Sequence, residues 1–91
     1  MNFKILVLPE LLRDLPPDIE KEIKERLHLL KDPYPGKGRG DKKRIIGSRD
    51  VAYRMRMGNY RIFYRIEKEE REVYVFDILT PESAHKKYGR I

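Results

Sequence analysis

Residues Val51 to Ile66 read Val-Ala-Tyr-Arg-Met-Arg-Met-Gly-Asn-Tyr-Arg-Ile-Phe-Tyr-Arg-Ile, two alternating runs separated by Gly58-Asn59. A Gly-Asn pair between runs rich in aromatic and β-branched residues signals a two-residue hairpin, and such a turn dictates the register of its strands. Counting outward, Met57 faces Tyr60, Met55 faces Ile62, Tyr53 faces Tyr64 and Val51 faces Ile66. All lie on one side, because side chains alternate with period two. That side reads as core. The opposite side sets Arg56 against Arg61, Arg54 against Phe63 and Ala52 against Arg65, so four arginines and a phenylalanine share one face.

Like charges directly opposite on a ladder oppose pairing by roughly a few tenths to 1 kcal/mol. Two readings account for them. Basic side chains can simply solvate the outer face of a half-buried sheet. Alternatively the face is an anion site, since arginine forks match phosphate geometry bidentately and an exposed aromatic among them can stack on a base. The broken pairing rule points to the second, because local rules are broken at functional sites.

The stretch Tyr53-Arg54-Met55-Arg56-Met57-Gly58-Asn59-Tyr60-Arg61-Ile62-Phe63-Tyr64 resembles the YRxRxGxYRxxY hairpin of the RelE/ParE superfamily of bacterial and archaeal toxins. The resemblance covers nearly the whole chain, in the element order set out next.

A chain of 91 residues supports one core and one domain, residues 1–91, with no room for a second. With 21 Lys and Arg against 15 Asp and Glu, its net charge of +6 favours nucleic acid, an acidic protein or an anionic surface as partner. It contains no cysteine, which excludes disulfides and cysteine-based zinc sites or nucleophiles. Its two histidines have no spaced carboxylate partners, so no metal and no cofactor is expected. The apolar run at the start is cut by Pro9 and carries no cleavage signal, and no stretch is long enough to span a bilayer. A cytoplasmic protein with no membrane partner is the expectation.

Asn2 to Leu8 reads as a strand, internal or covered by a helix, because both of its faces are apolar. Glu10 to Asp14 supplies a single helical turn that lays Leu11, Leu12 and Leu15 on the sheet. Asp18 to Lys31 is the main helix: Pro17 opens it, Asp18 and Glu20 suit its positive end, and Ile19, Ile23, Leu27 and Leu30 form one apolar stripe. His28, among charged neighbours, is assigned no role. From Asp32 to Asp41, two prolines and three glycines make a loop. With Lys37, Arg39, Lys42, Lys43 and Arg44 this region is either a soluble linker or a basic arm for a nucleic-acid backbone. Lys43 to Ile46 is a short strand, and Gly47 to Asp50 turns into the hairpin. Glu67 to Glu72 is a charged turn. Val73 to Leu79 pairs back, with Tyr74, Phe76 and Ile78 assigned to the core and Asp77 to the arginine face, where it orients an arginine. A last helix runs from Pro81 to about Gly89 and brings His85, Lys86, Lys87 and Tyr88 beside the sheet edge.

The fold class is therefore α+β: an N-terminal strand, two helices, then an antiparallel sheet of three to four strands with a short C-terminal helix, the helices lying on one sheet face. This is the order of the RelE-like fold. The resemblance implies the toxin of a type II toxin–antitoxin pair, a metal-independent endoribonuclease that cleaves messenger RNA in the ribosomal A site. Attack by a ribose 2′-hydroxyl on the adjacent phosphate would leave a cyclic phosphate and a 5′-hydroxyl end. Arg54, Arg56 and Arg61 match the family's basic hairpin positions and would stabilise the phosphate. Tyr88 matches a terminal tyrosine, and His85 or Lys86 are the nearby proton carriers. Lys42, Lys43, Arg44, Phe63 and Arg65 are the expected RNA contacts.

The family's Gly-His-Arg-Arg or Lys-Arg type segment is replaced here by Thr80-Pro81-Glu82-Ser83 and His85-Lys86-Lys87, so His85 aligns with no particular catalytic position. Partners implied are the ribosome, messenger RNA and an acidic, helical RelB-like antitoxin. Two other classes stay open: a ParE-like inhibitor of DNA gyrase, and a non-catalytic RNA-binding module.

Overall fold

The computed structural model describes residues 3–36, 42–45 and 51–89. They form, in order, β1 (Lys4–Val7), α1 (Pro9–Arg13), α2 (Pro17–Arg26), a 3₁₀ segment (Leu27–Lys31), β2 (Lys42–Ile45), β3 (Ala52–Met57), β4 (Tyr60–Glu67), β5 (Glu72–Leu79) and α3 (Pro81–Tyr88). The expected turn at Gly47 to Asp50 and the basic residues Lys37 and Arg39 lie outside the described residues.

The hairpin has the expected register, from Tyr53 opposite Tyr64 through Arg56 opposite Arg61 to Met57 opposite Tyr60. Its turn needs positive φ at Gly58 (55°), the backbone region that glycine enters without a Cβ clash. The strands form one mixed sheet in the order β1-β5-β4-β3-β2. The four strands β2 to β5 are antiparallel, and β1 joins them in parallel to β5. The first strand is thus an edge strand rather than an internal one. Ile5 and Val7 turn to the core while Lys4 and Leu6 take the other face, in register with Glu72 and Tyr74.

The main helix is shorter than its apolar stripe. It stops at Arg26 and tightens into the 3₁₀ segment, a geometry common at helix ends, with Pro33 blocking continuation. The stripe nevertheless packs as expected. Ile23 is 1% exposed and Leu30 0%, with Ile19 and Leu27 half-buried beside them. They meet Met55, Met57, Ile62, Tyr64, Val73, Val75 and Ile78 on one sheet face. Glu20–Lys24 (2.9 Å) and Glu22–Arg26 (4.0 Å) pair on the solvent side. Burial of Tyr64 would strand its hydroxyl, but that group donates to the Pro33 carbonyl at 2.6 Å. The bond also pins the end of the 3₁₀ segment to the sheet.

β5 departs from the expected alternation. Val73 and Val75, not Tyr74 and Phe76, enter the core, yet Ile78 enters it too. The parity changes because a β-bulge interrupts the ladder: Tyr64 opposes Val75 while the preceding Phe63 opposes Asp77, leaving Phe76 as the extra residue. No helix among the described residues is long and apolar enough to cross a membrane.

Ile23→Ala removes a fully buried side chain from the centre of this face and should lower stability by about 2 to 4 kcal/mol. Equilibrium urea denaturation checks this as a lower midpoint at unchanged slope.

Candidate active site

The sheet face opposite the helical stripe is built row by row from the ladders. Across β3, β4 and β5, one row reads Arg56, Arg61, Leu79 and the next Arg54, Phe63, Asp77, followed by Arg65 beside Tyr74. Lys43 of β2 extends the middle row, being paired with Arg54. The arginine face foreseen in the hairpin therefore exists.

Its character differs from the expectation at three places. Arg54 is not a solvated side chain but is 6% exposed, and its Nε and Nη1 find no hydrogen-bond partner among the described residues. Burial, then the charges of Arg61 and Arg56, depress its affinity for its own proton. Arg61 is half-buried and shifted the same way, first by burial and then by Arg56, while its Nη1 reaches the Tyr60 carbonyl at 3.3 Å. An arginine in a protein stays protonated, so these shifts mark positive charge for which an anion is the complement.

Phe63 is the second difference. It is 0% exposed and offers no open ring to a base. Tyr88 covers it at 4.9 Å between ring centroids, with Phe76 at 6.4 Å. A residue on the outer face of a sheet becomes buried when another element lies on that face, and here α3 does so. The C-terminal helix packs over β4 and β5, opposite the other helices, rather than beside a sheet edge. The half-buried aromatics that the sheet itself supplies to this face are Tyr74 and Phe76, both alternating with the core residues Val73 and Val75.

Third, the basic trio of β2 divides between faces. Lys42 and Arg44 are in register with Met55 and Tyr53 on the helix-bearing side, and Lys42 donates to the Asp32 carbonyl at 2.7 Å. Of the trio, Lys43 alone shares the face with Arg54. Arg65 is exposed on that face, its guanidinium 5.9 Å from the Tyr74 ring centre.

α3 is a well-specified helix. Pro81 occupies its first turn, Thr80 Oγ1 accepts the Ser83 N–H at 3.3 Å, and Gly89 at φ 76° turns the chain and donates its N–H to the His85 carbonyl. The helical spacing puts buried Ala84, Lys87 and Tyr88 toward the sheet. Asp77 Oδ2 accepts both the Lys87 ammonium at 2.6 Å and the Tyr88 hydroxyl at 2.7 Å. Asp77 thus lies on the arginine face, as expected, but among the described residues it holds the helix and not an arginine. His85 and Lys86 point to solvent, Lys86 within 3.6 Å of Glu82.

Lys87 is the site residue that sequence reasoning passed over. Its signal was the Ala84, Lys87, Tyr88 spacing of three and four, which selects one helical face. Among the residues singled out in the sequence, Arg54, Arg56, Arg61 and Tyr88 share this face, whereas His85 and Lys86 occupy the outside of the helix that covers it.

Comparison with known proteins gives a consistent picture. The family model for the ParE toxin of type II toxin–antitoxin systems matches residues 10–83. A curated protein of Methanocaldococcus jannaschii designated toxin RelE1 is 40% identical over 76 residues, 82% of each chain. Two solved structures share the fold at 21% identity. One is the toxin–antitoxin complex RelBE2 of Mycobacterium tuberculosis, with a TM-score of 0.74 over 88% of this chain and 99% of that one. The other is the archaeal RelE–RelB complex of Pyrococcus horikoshii, with a TM-score of 0.67 over 88% and 96%.

The clamp on α3 has a pH signature. The hydrogen bond to Asp77 raises Lys87 above its ordinary 10.5, and burial followed by the same carboxylate raises Tyr88 above 10.0. Groups with raised folded pKa values contribute stability that is complete below the unfolded pKa and is lost as pH rises through the folded one. On the alkaline side the clamp should therefore hold through neutral pH and release above about pH 10. Phenolate absorbance of wild type minus Tyr88→Phe should reveal a tyrosine titrating later than free tyrosine, and Asp77→Asn should move it earlier.

Proposed function

The chain belongs to the RelE/ParE superfamily of type II toxin–antitoxin toxins, and we propose that within it this protein is an endoribonuclease that cleaves messenger RNA in the ribosomal A site and so halts translation in the cytoplasm. The observation that carries this reading is the buried guanidinium of Arg54, whose Nε and Nη1 have no hydrogen-bond partner among the described residues, flanked by Arg56 and Arg61. Cationic donors left unpaired in a buried site are costly, and a phosphodiester oxygen would satisfy them.

In this reading the 2′-oxygen bonds to the adjacent phosphorus as the bond from phosphorus to the 5′-oxygen breaks. The products are a 2′,3′-cyclic phosphate and a 5′-hydroxyl. Arg54, Arg56 and Arg61 stabilise the charge that accumulates on the crowded phosphorane, the role of fixed cations aimed at a developing anion. Tyr88 takes the 2′ proton. The departing 5′-oxygen regains a proton from solvent, since His85 and Lys86 face outward from α3 and do not reach the site. Lys43 and Arg65 extend the positive surface on either side, and Tyr74 and Phe76 take over the stacking role foreseen for Phe63. No step calls on a metal or cofactor.

The structural neighbours are toxins in complex with RelB antitoxins, which supports a partner of that kind here. An acidic helical segment complements the basic face and the net charge of +6, and would compete with RNA for the same guanidinium groups.

One observation favours a second reading: the matching family model is that of ParE toxins, the branch for which the sequence resemblance leaves DNA gyrase inhibition as the alternative. Mapping of messenger-RNA 5′ ends in a translating extract separates the two. New 5′-hydroxyl ends at ribosome-occupied codons support the ribonuclease. Intact messages with inhibited supercoiling by purified gyrase support the other branch, and neither effect would leave binding without catalysis.

Arg61→Ala should reduce cleavage by about 100-fold or more, as removal of one oxyanion donor does elsewhere. Its stability should change by less than about 1 kcal/mol, because the side chain is half-exposed and packs little. The same extract assay and a thermal melt check both.

A further inference from the structure

Asp77 owes its place to the bulge. Val73 and Val75 face the core, so strict alternation would send Asp77 there too. The extra residue Phe76 reverses the parity, and Asp77 emerges opposite Phe63 on the arginine face. Bulges commonly re-aim one side chain next to an active site. The re-aimed carboxylate is 6% exposed, and its Oδ2 accepts from both Tyr88 and Lys87.

This contact settles what the Tyr88 hydroxyl can do. Its proton is directed at Asp77 at 2.7 Å and the Lys87 ammonium engages one lone pair of the phenolic oxygen, which leaves the other to accept a hydrogen bond from substrate. The ring cannot swing away, being packed against Phe63 at 4.9 Å with the Lys87 ammonium 5.5 Å from its centre. Burial and the neighbouring carboxylate both raise Tyr88, so phenolate is scarce at neutral pH and an unassisted tyrosine would be a poor base.

We propose that Asp77 is the positioning residue of the site, orienting Tyr88 as a proton acceptor and taking the tyrosine's own proton when Tyr88 receives one from the ribose 2′-hydroxyl. The inference rests on the ribonuclease reading. Two protons move together: the 2′ proton to the Tyr88 oxygen and the Tyr88 proton to Asp77 Oδ2. The tyrosine is neutral before and after. The 2′-oxygen, relieved of its proton, forms the bond to phosphorus as the 5′-oxygen leaves, and Asp77 returns its proton to solvent after product departs. Lys87 holds the carboxylate in place between turnovers.

The test is single-turnover cleavage of ribosome-bound message by wild type, Asp77→Asn, Tyr88→Phe and the double variant, with a thermal melt of each. Asparagine keeps a hydrogen-bond acceptor for the Tyr88 hydroxyl but does not take up a proton. Each single variant should therefore lose about 100-fold in maximal rate, with the half-saturating ribosome concentration within about twofold. The double variant should be no slower than the slower single one, because the two residues act as one unit. Asp77→Asn cleaving within about threefold of wild type, or additive losses in the double variant, would overturn the relay and leave Asp77 a structural clamp. If Asp77→Asn melts below the assay temperature, Asp77→Ala with added formate decides the point. Restored cleavage supports the carboxylate's role, and no restoration refutes it. Wild type that yields no 5′-hydroxyl ends removes the ribonuclease reading itself, a result distinct from all of these.

Discussion

Everything in this molecule depends on the register of one hairpin. Once Gly58 turns the chain, the pairing of β3 with β4 commits Met55, Met57, Ile62 and Tyr64 to one side and Arg54, Arg56 and Arg61 to the other. A slip by one residue would exchange the two sets and bury the arginines under α2. The helical stripe of Ile23 and Leu30 therefore does more than stabilise the sheet. It selects the register that gathers the cations.

The price of that gathering is visible in the electrostatics. Arg56 and Arg61 oppose each other directly, and Arg54 lies buried beside them with donors unpaired among the described residues. A fold optimised for stability alone would place a threonine or an opposite charge at one of these positions. The apolar face, the Tyr64 hydrogen bond to Pro33 and the capped α3 supply stabilising interactions elsewhere, so the sheet can carry the cluster. In the ribonuclease reading the strain is relieved when phosphate arrives, and in a toxin held by an acidic antitoxin it is relieved by the partner. Both ligands answer to the same unmet charge.

α3 turns the cationic surface into a site with walls. By lying over β4 and β5 it covers Phe63, leaves Arg56 exposed at the β3 side, and brings Tyr88 and Lys87 to the buried carboxylate of Asp77. A single backbone irregularity makes this possible. Without the bulge at Phe76, the carboxylate would face the core and the helix would have no anchor on the sheet.

Sequence alone determined the hairpin, its register, the core stripe, the α+β order and the proline-led terminal helix, because each rests on a local signal: a turn dipeptide, a period of two, a period near four, a proline at a helix start. It also determined that Arg54, Arg56 and Arg61 share a face. Tertiary structure alone decided that β1 joins β5 in parallel at an edge, that Phe63 is covered and Arg54 buried, that Lys42 and Arg44 part from Lys43, and that Lys87 rather than His85 or Lys86 meets Asp77. These features depend on which element lies over which face and on a one-residue bulge that reverses alternation. Nothing in the local pattern from Val73 to Leu79 marks where the extra residue falls, since its apolar residues satisfy either parity until the opposing strand and helix choose between them.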